Sequence, residues 1–175
     1  MNEMMKYIAL VTCSIVLLGS AKINEFSLTK GAWKKVDKSL SAIWPDIHID
    51  TTGVDAPDGV NIMKMYHLKS DQEDLGYMVF ADAPSRYDRF DFMIVYDKDF
   101  NILSTTILVY RENYGGEISS KRWLGQFEGK NHADKFRLDD DIVGISGATM
   151  SCRIASAQFK KITSKLHEMK VAGMY

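Results

Sequence analysis

One apolar stripe near the C-terminus does most to limit what this chain can fold into. Ala155, Phe159, Ile162, Leu166 and Met169 follow one another at 4-3-4-3 spacing, while lysines crowd the opposite face. Only an α-helix of about six turns lines those side chains up, and such a helix must lie on an apolar layer. The spacing starts this helix at or near Thr149. The layer comes from upstream, where Phe90, Phe92, Ile94 and Tyr96 share one face of a strand and Met93 and Val95 share the other. A strand apolar on both faces belongs in the middle of a sheet covered on each side.

The remaining elements follow from period and punctuation. Residues Ser27 to Trp44 read as a helix with Ser27 as its cap. Trp33, Val36, Leu40 and Ile43 form its apolar stripe, Trp33 and Trp44 are expected as core anchors, and Pro45 ends it. Asp46 to Gly59 is rich in turn formers and reads as loop with at most one short strand. Strands are expected over Val60 to Leu68, Gly76 to Ala81, Phe90 to Tyr96 and Ile102 to Tyr110, with Asp97 to Asn101 as a hairpin connection. Ser119 to Phe127 reads as a short helix, and Lys130 to Asp141 as loop. The fold class is α+β: a twisted, mainly antiparallel sheet packed by an N-terminal helix and a long C-terminal one.

With 175 residues, 46% of them hydrophobic, the chain can fill one core. A net charge of −1 argues against a nucleic-acid partner. His48, His67, His132 and His167 lack metal-ligand spacing, so no metal site is expected, and no P-loop or dinucleotide fingerprint occurs. At the N-terminus, Lys6, the apolar run from Tyr7 to Leu18 and the small residues Gly19-Ser20-Ala21 read as a signal peptide over 1–21, followed by a single domain over 22–175. The alternatives are a retained anchor or a buried helix, although a spanning helix needs ~20 apolar residues. The expected location is therefore outside the cytoplasm, in the periplasm or on the outer face of the cytoplasmic membrane. Cleavage would remove Cys13 and leave Cys152 as the one thiol, so no internal disulfide would form.

Three stretches have chemical potential. Ser146-Gly147-Ala148-Thr149 heads the long helix. Its small residues uncover backbone N–H groups, the helix dipole favours an anion there, and Thr149 adds a hydroxyl. The second stretch, Tyr110 to Glu117, leaves a strand end through the Gly115-Gly116 pair, which permits positive φ or close backbone approach. Within it, Glu112 and Glu117 are candidate acceptors for a ligand, or else solvated acids on a turn. In the third, Lys121 to Phe127, Trp123 either offers a stacking platform or tucks into the core. No general base or nucleophile stands out, and Ser146 and Ser151 have no histidine nearby in sequence, so no catalytic residue is assigned.

In this order, "YRENYGGEISSKRWLGQFEGK" at 110–130 and "DIVGISGATMSCR" at 141–153 resemble the FMN-binding domain family. That family includes the flavin subunits of sodium-pumping NADH:quinone reductase and related complexes, and many small exported flavoproteins. The resemblance covers roughly the second half of the chain. It implies FMN as cofactor, bordered by Glu112, Gly116, Glu117 and Trp123. Its phosphate would be esterified to Thr149, with Ser146, Gly147 and Ala148 lining the approach. It also implies two partners, a flavin transferase that makes the ester and a membrane-bound redox protein. The function expected is electron carriage in an extracytoplasmic redox chain rather than substrate-specific catalysis. The transferase-recognised pattern has aspartate six residues before the threonine; here Val143 stands there and Asp141 lies two positions earlier. Covalent and non-covalent FMN thus both stay open, as does a non-catalytic exported binding or assembly domain of the same fold without flavin.

Overall fold

A computed structural model describes residues 27–71 and 73–175. The expected signal peptide, with its cleavage after Ala21, lies outside the described residues. Five strands form one meander in which each pairs antiparallel with the next: β1 (Asp50–Val54), β2 (Ile62–Lys69), β3 (Asp74–Pro84), β4 (Arg89–Tyr96) and β5 (Ile102–Tyr110). Helix α1 (Lys30–Ile43) precedes the sheet. The short helix α2 (Lys121–Leu124), between the 3-10 turns Gly116–Ser119 and Gly125–Phe127, and the long helix α3 (Thr149–Val171) follow it.

The sheet separates two apolar layers, as the double-faced pattern of β4 requires. Phe90, Phe92, Ile94 and Tyr96 pack with Cys152, Ala155, Phe159, Ile162 and Leu166 of α3. Met93 and Val95 point the other way and pack with Ala32 and Val36 of α1. Phe159 is the pivot of the α3 layer, its ring 5.0 Å from Phe92 and 4.9 Å from Phe127. A buried polar link joins β4 to α3 across this layer. Tyr96 donates its hydroxyl to Thr163 Oγ1 at 2.9 Å, because the Thr163 proton is already committed to the Phe159 carbonyl at 2.7 Å.

Several details differ from the sequence expectation. Thr29, not Ser27, caps α1, accepting from Ala32 N–H at 3.2 Å. Trp33 is not a core anchor. It stays 39% exposed, resting edge-on against Phe80, because smaller Ala32 and Val36 bring the helix close to the sheet. Strand β3 extends beyond 76–81 at both ends, where charged residues find partners: Asp74 on His67 and Asp82 on Arg89. The helix expected over 119–127 is broken into three short pieces that bury Ile118, Trp123 and Phe127. No described helix is long and apolar enough to cross a membrane.

Candidate functional site

Helix α3 begins at Thr149 without a side-chain cap. Its N-cap is Ala148, where Ser, Thr, Asn or Asp would ordinarily satisfy one of the unpaired N–H groups of the first turn. The chain reaches this point through a tight turn closed by Ala148 N–H on the Ile145 carbonyl at 3.0 Å. Gly147 has φ 84° in that turn, and a Cβ placed on it would meet nothing within 4 Å. Ser146, Gly147 and Thr149 are exposed, while Ala148 is buried. The result is an open helix start with free donors and a hydroxyl at its rim.

A second segment is clamped to this helix start. Tyr110, at the end of β5, donates its hydroxyl to the Tyr114 carbonyl at 2.8 Å. That uses its proton, so Ser151 in the first turn of α3 donates to it at 2.9 Å. Gly115 carries φ 83° and lies so close to α3 that a Cβ there would stand 2.2 Å from Ser151 Oγ and 2.7 Å from the Tyr110 hydroxyl. Positive φ therefore belongs to Gly115; Gly116 is exposed, with room for a side chain. Ser151 has a tyrosine for its partner, which gives it no base of the kind a serine nucleophile needs.

The sequence candidates divide. Ser146, Gly147, Ala148 and Thr149 form the helix start, and the turn carrying Gly116 and Glu117 packs against the same helix. Glu112 turns elsewhere. Its Oε1 accepts from Tyr87 N–H at 2.6 Å and Asp88 N–H at 3.1 Å, closing the β3–β4 hairpin tip, and the Tyr87 amide is the first cause of its lowered pKa. Trp123 takes the core alternative: its ring is 2% exposed and edge-on to Phe127, which leaves no open face for stacking. Its indole N–H instead reaches the Val143 carbonyl at 3.0 Å, and Gln126 holds the same residue through Val143 N–H at 2.7 Å. Trp123 and Gln126 thus fix the path of the loop entering the helix start. The paired glycines flagged the positive φ and close approach found at Gly115, whereas the roles of Tyr110 and Gln126 and the Tyr110 partner of Ser151 have no local pattern to mark them.

Three apolar side chains of the segments described above, Tyr114, Val143 and Met150, are each more than half exposed. The sizeable cavity of about 570 Å³ lies elsewhere, between α1 and β5.

Asp141 holds the loop that precedes the site. It accepts from Lys130 Nζ at 3.0 Å, Phe136 N–H at 3.0 Å and Arg137 N–H at 2.7 Å. Burial pushes its pKa up, but the Arg137 amide, Lys130 and the Phe136 amide together outweigh that and bring it down to about 2. Among the described residues no group of three or more His, Cys, Asp and Glu side chains is placed to hold a metal ion. No protein-family model matches the chain, and comparison with curated proteins finds no match.

Proposed function

We propose that this chain is an exported flavoprotein that binds FMN at the start of α3 and carries electrons in an extracytoplasmic redox chain. The observation that carries the reading is the uncapped helix start, with Thr149 exposed at its rim and Gly147 leaving open space beside it. A phosphate suits unpaired N–H groups at the positive end of a helix dipole. The exposed Tyr114, Val143 and Met150 suit a flat, largely apolar ring. When bound, FMN supplies the electron-transfer chemistry; the residues of this chain bind, orient and shield it. The dipole contributes ~0.3–1 kcal/mol when exposed and up to ~2 when partly buried, so an ester to Thr149 or extensive ring contacts must retain the cofactor.

A second reading also has a specific observation behind it. Asp141 is the nearest acid in sequence to the position where the resembled pattern has aspartate, and its oxygens are already taken by Lys130, Phe136 and Arg137. This favours FMN held without an ester, or a binding domain of the same fold that holds none. Coexpression with a flavin transferase, followed by a denaturing gel under ultraviolet light, separates the three. A fluorescent band that Thr149→Ala abolishes supports the ester. Flavin present in the native protein and released on denaturation supports the site without the ester. A native visible spectrum with no flavin bands sinks the proposal. N-terminal sequencing of protein from the envelope fraction tests export, which a cytosolic chain beginning at Met1 would refute.

A further inference from the structure

We propose that the outer edge of β5 is a docking site for a short, extended, acidic peptide segment of a partner protein. The order of the sheet leaves β5 at its margin. Five consecutive residues, 103–107, line the 570 Å³ cavity there. Successive strand side chains point to opposite faces, so consecutive residues can line one cavity only if the strand's main-chain edge faces it. The side chains bear this out. Ser104 meets Ser39 of α1 at 3.0 Å on one side, and Thr105 donates to the Leu124 carbonyl at 3.3 Å on the other. The layers above and below the sheet thus overhang its last strand and leave a slot beside it.

The slot is closed at both ends. Ile102 exchanges main-chain bonds of 2.8 Å with Gly129 and Lys130. Lys35 Nζ takes the Ile107 and Leu108 carbonyls at 3.0 and 2.7 Å. Between these points no described residue pairs with the outer main chain of 103–106. Closure at the ends keeps the edge from pairing indiscriminately, while the window accepts one added strand of a few residues. The walls choose its charge: Lys35, Lys38 and Lys121 stand against a single acid, Glu128. A main-chain edge selects a peptide over a compact anion, and three lysines select acidic side chains on it.

Fluorescence anisotropy with a short labelled peptide of alternating glutamate and valine tests this on the full chain. Saturable binding is expected, weakened by about tenfold or more when Lys38→Glu and Lys121→Glu are combined, since like charges would then face each other. Both lysines are exposed, so an unchanged circular dichroism spectrum should confirm that the variant folds. The same peptide methylated on alternate backbone nitrogens loses its ladder donors and should not bind. Absence of binding by the unmodified peptide, equal binding by the methylated one, or indifference to the lysine changes would each overturn the proposal. So would peptide-independent self-association of the chain that the lysine changes abolish, because a second copy would then be the occupant.

Discussion

Gly115→Ala is the sharpest test of the clamp on the α3 start. Alanine at φ 83° costs ~1–2 kcal/mol in backbone strain. Its methyl would stand 2.2 Å from Ser151 Oγ and 2.7 Å from the Tyr110 hydroxyl, so these groups must separate. Separation gives up the Tyr110–Ser151 bond and the Tyr110–Tyr114 bond, each contributing about 0.5–1.5 kcal/mol. The sum is about 2–5 kcal/mol, and a middle value of ~3 lowers Tm by roughly 6–12 °C in a domain of this size. Urea and thermal unfolding measure it. Ser151→Ala removes the atom in closest contact, so the double variant should lose less than the sum of the two singles, by about 1 kcal/mol. Strictly additive effects, or a Gly115→Ala variant as stable as its parent, would refute the clamp.

Two further stability predictions rest on buried or half-buried partners. Asp141 titrates at about 2 in the folded chain against an ordinary 3.8, so its contribution is full above pH ~3.8 and is lost as pH falls toward 2. The difference is worth at most about 2.5 kcal/mol, and in acid unfolding curves Asp141→Asn should lack that part of the pH dependence. A variant with an unchanged acid limb would show that the three donors do not act on this carboxylate. Thr163→Val should cost ~1–3 kcal/mol in urea unfolding, because the buried Tyr96 hydroxyl loses its acceptor, whereas Thr163→Ser should stay close to the parent. Equal stability of the valine variant would mean that Tyr96 finds another partner.

What the sequence alone determined is what period and punctuation report. The 4-3-4-3 stripe placed α3 on its observed start at Thr149, and alternation along 90–96 assigned each side chain to its correct layer. Strand β5 matches its expected bounds, Ile102 to Tyr110. These signals are local because side-chain direction repeats every 3.6 or 2 residues whatever the rest of the fold does. Tertiary structure decided the rest. Tyr110 and Ser151 meet across 41 positions, Glu112 and Tyr87 across 25, Trp123 and Val143 across 20. Nothing in either partner's neighbourhood announces such a meeting. Gly115 and Gly116 are indistinguishable as letters; the one pressed against α3 is the one that must lack a side chain. Trp33 and Trp123 are equally apolar, yet one stays partly in solvent and the other is buried, because burial depends on which neighbours let an element approach the sheet. The open helix start was legible from small residues before a stripe, but the turn that flanks it and the pocket beside β5 exist only once the layers have packed.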